Sequence, residues 1–131
     1  MLKNAMIGAT VPVTDVNRAR DFYENVLGLT PEETGPDGPT FYACANGTMF
    51  GLYERPGHTP AGQTVAAFMV PDAEAAVEDL IGKGVEFLQY DMPEAGIKTD
   101  ERGLAQLGPS YGAWFTDPDG NIFGVFEVPG A

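Results

Sequence analysis

The chain contains Phe50-Gly51-Leu52-Tyr53-Glu54 and, near its end, Phe123-Gly124-Val125-Phe126-Glu127, two pentapeptides with the same order of residue types. A second pair of motifs precedes them, because Val13-Thr14-Asp15 matches Val70-Pro71-Asp72. Motifs that return in the same order indicate two copies of one structural unit. The pentapeptides lie further apart in the chain than the tripeptides do, which predicts an insertion in the second copy, within the polar stretch 91–109.

The first copy, about residues 5–55, begins with alternating apolar residues over Ala5–Val13, which predict a strand. Thr14 or Asp15 can cap the helix that follows, whose apolar residues recur at three- and four-residue spacing. Polar, Pro and Gly residues over Thr30–Pro39 then predict a short strand and a turn.

The second copy, about residues 63–128, follows a Pro/Gly-rich linker over 56–62 and repeats the same order of elements. Thr64–Val70 predicts a strand, Asp72 can cap the next helix, and Val85–Tyr90 predicts another strand.

A hairpin closes each predicted copy. Asn46-Gly47 is a strong signal for the first hairpin, and the turn Asp117-Pro118-Asp119-Gly120-Asn121 joins the second, where Gly and Asn are expected to adopt positive φ angles. The strands of the two hairpins are predicted at Thr40–Ala45 and Thr48–Glu54, then Gly112–Thr116 and Ile122–Val128.

These elements predict an α+β fold made of two repeated βαβββ units with a mixed sheet. One such unit alone would leave a sheet face bare, so we expect the two units to join into one domain over residues 1–131.

The composition excludes several classes of partner. Nineteen acidic residues against seven basic ones give a net charge of −12, which disfavours nucleic acid and anionic membrane surfaces but attracts cations. No apolar run is long enough for a membrane span, and no signal peptide is recognisable. The lone Cys44 cannot form an intrachain disulfide, which favours a cytoplasmic location.

Three features together resemble the vicinal oxygen chelate superfamily, which includes the glyoxalase I, bleomycin-resistance and extradiol dioxygenase groups. They are the segment 12–23 with Val26-Leu27-Gly28-Leu29, the turn 117–121, and the repeat itself, so the resemblance covers about residues 5–128. The resemblance implies that the paired units form an open, curled sheet around a cleft. It also implies a homodimer, because members of this family commonly pair.

The metal enzymes of this family place ligands on four strand positions, which the resemblance assigns to Gly8, Gly51, Val65 and Gly124. Side chains of Gly and Val offer no electron pair, so we predict neither a bound metal nor another cofactor. A site built from Glu54, Glu127 and His58 stays open as an alternative, although it needs both closing strands to shift by an odd number of residues. We interpret Cys44 as a small apolar strand residue rather than a nucleophile.

Strand alternation divides the predicted strands between a cleft face and a core face. The core face should carry Ile7, Val11, Phe50, Leu52, Phe68, Val70, Phe123 and Val125. The cleft face should carry Met6, Gly8, Thr10, Met49, Gly51, Tyr53, Val65, Ala67, Met69, Ile122, Gly124 and Phe126. Trp114, favoured over Phe115, adds an aromatic wall. The predicted ligand-binding residues are Thr10, Met49, Tyr53, Met69, Trp114 and Phe126, and no residue is assigned a catalytic role.

Three functions are compatible with this cleft. The favoured one is a metal-free small-molecule-binding protein for an apolar or cationic aromatic ligand, because Met and aromatic side chains adapt to such molecules. The alternative is a lyase, isomerase or dioxygenase with a non-standard active site, in which Tyr53 would be the one plausible proton donor. The third is an interaction module whose cleft is closed by its own dimer.

Overall fold

The computed structural model describes residues 1–32 and 39–131 of the chain. Most of the strand and turn predicted over Thr30–Pro39 therefore lies outside the described residues. The chain forms two compact units, Met1–Thr59 and Pro60–Ala131, which we call unit one and unit two. The boundary between them falls inside the linker that the sequence predicts.

Unit one is built around a three-stranded sheet of order β1-β3-β2. Its elements are β1 (Ala9–Val13), α1 (Val16–Asp21), β2 (Thr40–Ala43) and β3 (Met49–Glu54). Strand β1 runs parallel to β3, and β2 runs antiparallel to it. After α1 the helix widens into a π-helical turn over Phe22–Val26. Asn46 adopts φ 57° in the β2–β3 connection, as its hairpin signal predicts.

Unit two repeats this arrangement in a four-stranded sheet of order β4-β9-β8-β7. Its elements are β4 (Thr64–Val70), α2 (Ala73–Gly82), β5 (Asp91–Met92), β6 (Ile97–Lys98), β7 (Ala105–Leu107), β8 (Ser110–Thr116) and β9 (Ile122–Glu127). Strand β4 runs parallel to β9, and β8 runs antiparallel to it. The predicted α+β fold with its repeated unit is confirmed. The predicted insertion supplies the small β5–β6 hairpin and β7.

The first strand is shorter than its apolar pattern predicts. Strand β1 begins at Ala9 rather than Ala5, because its partner β3 begins at Met49 and the register pairs Ala9 with Phe50. The register leaves only Met49 of β3 opposite Gly8, so residues 5–7 extend past the start of β3, and Ile7, expected in the core, is 93% exposed. The other residues of the predicted core face are buried or half-buried.

The strand predicted over Val85–Tyr90 is reduced to a single bridge between Phe87 and Phe115. The Leu88 N–H donates to the Trp114 carbonyl at 2.8 Å, and beyond this point Tyr90 turns to Thr99 instead of following β8. Unit one also contains an isolated antiparallel bridge, between Pro31 and Tyr42. The second strand of the predicted βαβββ unit is thus reduced to this bridge in unit two, and in unit one the Pro31 bridge belongs to the part of that strand that the structure describes.

Both helices begin at the aspartates that the sequence marks. Asp15 Oδ1 accepts from the Asn17 and Arg18 N–H groups at 3.0 and 3.2 Å, and Asp72 Oδ1 accepts from Ala75 N–H at 3.0 Å. Among the helices of the described ranges, none is long and apolar enough to cross a membrane.

The last residue of each repeated pentapeptide completes the helix start in its own unit. Glu54 Oε1 accepts from the Val16 N–H, and Glu127 Oε2 accepts from the Ala73 N–H, both at 3.2 Å. Each glutamate therefore places a negative charge at the positive end of a helix dipole. Each carboxylate is therefore engaged at the helix start of its own unit, which disfavours its use as a metal ligand.

We expect Glu127→Ala to lower the free energy of unfolding by about 1–2 kcal/mol, since an orphan helix N–H and a charge at the helix start both lose their partner. Urea unfolding followed by circular dichroism measures this change. Asp79→Ala is the control. Asp79 pairs with Lys83, and the side chains of the two residues are 63% and 46% exposed, so water solvates the ion pair. Equal midpoints for the two variants would contradict the role of Glu127.

Candidate functional site

The sheet of unit one has one face covered by its helix and one face free of it. The rings of Tyr42 and Phe50 pack on Tyr23 of the π-helical turn, with centroids 5.9 and 5.7 Å away. The neighbouring residues in the same strands point to the opposite face. Register places Thr10, Gly51 and Phe41 side by side on that face, with Met49 and Tyr53 two residues to either side of Gly51.

A pocket of about 190 Å³ opens on this helix-free face of unit one. It is bounded by the N-terminal segment, by β1 and by the β2–β3 hairpin. Its lining residues are Met6, Ile7, Gly8, Ala9, Thr10, Phe41, Met49, Phe50 and Gly51. This lining contains no ionisable side chain, and the Thr10 hydroxyl is its one polar side-chain group.

The floor of the pocket is the backbone of Gly51 with the Phe41 ring lying against it. A Cβ atom added there would lie 2.8 Å from Cε1 and 2.9 Å from Cδ1 of Phe41. The Phe41 ring therefore rests directly on the strand, in the space that a side chain at position 51 would fill. Glycine is required here for close approach of the ring and not for an unusual backbone angle.

The helix-free face of unit two has the same plan with larger rings. Cross-strand pairing puts Met69 beside Phe126, and Trp114 beside Gly124. The Phe126 ring lies over two glycines, because a Cβ on Gly124 would be 2.6 Å from its Cζ and a Cβ on Gly112 would be 2.8 Å from its Cδ1.

Trp114 is largely buried in this cluster. Its ring meets Tyr90 and Phe126 edge-on, at centroid distances of 5.3 and 5.7 Å, and the residue is 7% exposed. The structure has Trp114 rather than Phe115 on this face, since Phe115 stacks on Phe68 and Phe123 at the other side. Tyr90 and Phe126 both pack against the indole, and the role of Trp114 as an aromatic wall for a ligand stays a prediction.

The structure places three of the predicted ligand residues in each unit. In unit one, Thr10 and Met49 line the pocket, while Tyr53 lies on the same face and is 36% exposed. In unit two, Met69 is 60% exposed, and its pairing partner Phe126 is half-buried.

Sequence reasoning missed Phe41 and Ile7, which both line the pocket. The repeat contains the signal for Phe41. The alignment that superimposes Gly51 on Gly124 also superimposes Phe41 on Trp114, a predicted ligand-binding residue. Ile7 was missed because an uninterrupted first strand would have turned it into the core. Met6, expected in the cleft, lines the pocket from an irregular segment and is 73% exposed.

The residues at the family's ligand positions do not fit a metal ion. A Cβ on Gly8 would lie 2.8 Å from the Met49 carbonyl oxygen, so even a small side chain there would collide with backbone. Val65 lies at a β-bulge of β4 and is apolar, and the Gly51 and Gly124 positions are covered by rings. Within residues 1–32 and 39–131, no three His, Cys, Asp or Glu side chains come close enough together to hold a metal ion.

The surroundings of Cys44 disfavour a nucleophilic thiol. Burial raises the pKa of the Cys44 thiol, which disfavours the nucleophilic thiolate. The His58 backbone N–H donates to the Arg55 carbonyl in the turn after β3. The interpretation of Cys44 as a small apolar residue agrees with this environment.

Comparison with known proteins gives one family. A family model described as the Glyoxalase/Bleomycin resistance protein/Dioxygenase superfamily matches residues 6–125. No curated protein matches the chain.

Several solved structures share the fold along nearly the whole chain. A member of the same superfamily from Sphaerobacter thermophilus DSM 20745 is 25% identical, with a TM-score of 0.67 over 98% of this chain and 100% of that one. TnmS3, an antibiotic binding protein from Streptomyces sp. CB03234, is 24% identical, with a TM-score of 0.67 over 97% and 98% of the two chains. A glyoxalase/bleomycin resistance protein from the same strain is 25% identical, with a TM-score of 0.60 over 89% and 95%.

Proposed function

We propose that this chain, which belongs to the glyoxalase/bleomycin resistance protein/dioxygenase superfamily, binds an apolar or cationic aromatic small molecule without the help of a metal ion. The observation that carries this proposal is the pocket on Gly51, whose lining is apolar apart from one hydroxyl. The proposed ligand-binding residues lie on the helix-free face of each unit taken by itself: Thr10, Met49 and Tyr53 in unit one, and Met69, Trp114 and Phe126 in unit two.

The chemistry of the pocket favours binding over catalysis. Methionine and aromatic side chains line it, and thioethers and rings adapt to flat apolar ligands. Acid–base catalysis needs a group with a suitable pKa within hydrogen-bond reach of the reacting atom, and the lining offers only the Thr10 hydroxyl. The enzymatic alternative would have to use Tyr53, which lies on the same face outside the lining.

The charge of the chain and a structural relative support the choice of ligand. A net charge of −12 raises the local concentration of cations and speeds their association. TnmS3, which shares this fold, is an antibiotic binding protein, so the fold is compatible with the binding of a small molecule.

Titration with thioflavin T, a flat aromatic cation, tests this function through the fluorescence of the dye. We expect one dye per chain, weaker binding at higher salt, and an affinity at least tenfold lower in Met49→Lys, which puts a cation into the lining. Met92→Lys is the matched control, because Met92 lies in the β5–β6 hairpin of unit two. Binding that is equal in all three proteins would contradict the assignment of the pocket.

Trp114 is the single tryptophan, so its emission tests the unit-two residues in the same titration. A change in its emission upon dye binding would support the participation of Trp114 and Phe126. Constant emission in a protein that binds the dye would restrict the ligand to unit one.

Elemental analysis tests the metal-free state. We expect less than about 0.1 equivalents of Zn, Mn, Fe or Ni per chain, because first-row metals need several N, O or S donors. The thioflavin T affinity should be the same with and without EDTA. One equivalent of metal that is lost together with dye binding would overturn this part of the proposal.

The same function is proposed for a cytoplasmic homodimer. The lone Cys44 is compatible with a reducing compartment, and exposed apolar residues such as Met6, Ile7 and Met69 are available for a second subunit. Light scattering should give twice the chain mass of 13.9 kDa at micromolar concentration, and a single chain mass would refute the dimer.

A further inference from the structure

The pocket in unit one is smaller than the molecules it is proposed to bind. Its volume is about 190 Å³, whereas pockets for drug-sized ligands typically enclose about 300–1,000 Å³. Burial of a ligand larger than a single ring on this face therefore requires a lining side chain to move.

Most of the lining cannot supply that movement. Phe50 is 7% exposed and is held between Tyr23 and Tyr42, with ring centroids 5.7 and 5.4 Å away. The glycines and Ala9 have little or no side chain to withdraw. Met6 and Ile7 are already 73% and 93% exposed, so they restrict the opening little. The remaining bulky side chains are Met49 and Phe41.

Phe41 is the one that covers the floor. Its Cε1 and Cδ1 atoms lie where a side chain at Gly51 would begin, and its other face is toward the pocket that it lines. Among the described residues no other aromatic ring packs on Phe41, and the residue is half-buried.

In unit two the ring that covers Gly124 is Phe126, and this ring is more firmly held than Phe41 is on Gly51. Phe126 rests on both Gly112 and Gly124, and Trp114 meets it edge-on at 5.7 Å. Phe41 rests on one glycine, so rotation about its χ1 angle would break fewer contacts and would uncover a flat strip of backbone.

We propose that Phe41 is the lid of this pocket and sets the size of the ligand it admits. In the ligand-free protein its ring occupies the place on Gly51 where one ring of a planar ligand stacks, and it withdraws when the ligand enters. The inference rests on the proposed function and deepens it. The ligand class is a fused or linked planar ring system with one unsubstituted face, because a group projecting from that face would collide with the strand.

If the lid is closed most of the time, the apparent Kd equals the Kd of the open protein divided by the fraction of protein that is open. If about one molecule in ten is open, removal of the lid strengthens binding about tenfold. A ring that serves only as a wall has the opposite effect, since its removal takes away stacking area and weakens binding. The direction of the change therefore separates the two roles.

The test compares thioflavin T binding to the wild-type protein, Phe41→Ala and Phe41→Leu, with circular dichroism to show that each is folded. Leucine keeps an apolar side chain but cannot cover the floor, so both variants should bind the dye about tenfold more tightly and associate faster. Gly51→Ala should bind at least tenfold more weakly, because its methyl group takes the floor. The controls are Gly82→Ala, whose added Cβ has nothing within 4 Å, and Tyr111→Ala on β8, and both should leave the affinity unchanged.

Each outcome decides the proposal. Tighter binding by both Phe41 variants supports the lid and the function together. If the wild-type protein binds the dye and the Phe41 variants bind it equally well or more weakly, the lid is overturned and the proposed function stands. Binding by the Phe41 variants alone supports the lid and shows that the native pocket stays shut to this ligand class. If none of the proteins binds the dye, the lid and the proposed function are both overturned.

Discussion

Trp114→Ala lowers the free energy of unfolding by about 3–5 kcal/mol, the range for deleting a large aromatic side chain from a packed interior. The residue is 7% exposed, and its loss leaves Tyr90 and Phe126 without the ring that each meets edge-on. The two remaining rings cannot close the gap, because Phe126 already rests on Gly112 and Gly124. Urea unfolding followed by far-UV circular dichroism measures the change, since the variant has no indole to report it.

Two variants define what the loss means. Trp114→Phe keeps an apolar ring in the cluster and should cost less than half as much. Tyr111→Ala removes a ring that is 39% exposed on the same strand and should change the unfolding midpoint little. A loss below about 1 kcal/mol in Trp114→Ala would mean that the indole is a surface ring. Because of this cost, the ligand role of Trp114 is better tested by its emission than by its removal.

Asp117→Ala has the second largest expected effect, a loss of about 3 kcal/mol, because it leaves buried donors without acceptors. Asp117 is 4% exposed, and its Oδ1 accepts from the N–H groups of Asp119 and Asn121, each at 2.9 Å. Its Oδ2 accepts from Asn121 Nδ2, also at 2.9 Å. Thermal and urea unfolding of the variant give the change directly.

The control variants separate hydrogen bonding from charge. Asp117→Asn keeps one carbonyl oxygen for the two backbone N–H groups and should retain more than half of the stability that alanine removes. Asp91→Ala removes a solvated aspartate. Asp91 pairs with Lys98, and their side chains are 64% and 76% exposed, respectively. Such surface pairs contribute about 0–1 kcal/mol. A similar small effect at Asp117 would show that the turn does not depend on this carboxylate.

The repeat and its caps were predictable because they depend on local chemistry. Asp15 and Asp72 cap their helices by accepting hydrogen bonds from backbone N–H groups two or three residues further along the chain. Asn46 takes the positive φ that its Asn-Gly pair favours. The role of Asn121 was not predictable in this way. It was expected to take a positive φ, yet Gly120 alone does so in that turn, and Asn121 is instead held by its side chain on Asp117.

The missing parts depend on contacts between distant residues. The apolar pattern of residues 5–13 continues beyond the point where β3 can pair with it, so periodicity alone overestimates β1. The glycines at positions 51 and 124 were recognised as lacking metal donors. Which ring would lie on each glycine depends on side-chain packing across strands, and strand alternation does not determine that.

The two glutamate contacts at the helix starts can form at different times during synthesis on the ribosome. The contact of Glu54 with Val16 spans 38 residues and can form when less than half of the chain has been made. The contact of Glu127 with Ala73 spans 54 residues and must wait for the final strand. Contacts across longer stretches of chain form more slowly, because more chain entropy is lost before they form. We therefore expect the helix-start contact of the first unit to form before that of the second during synthesis.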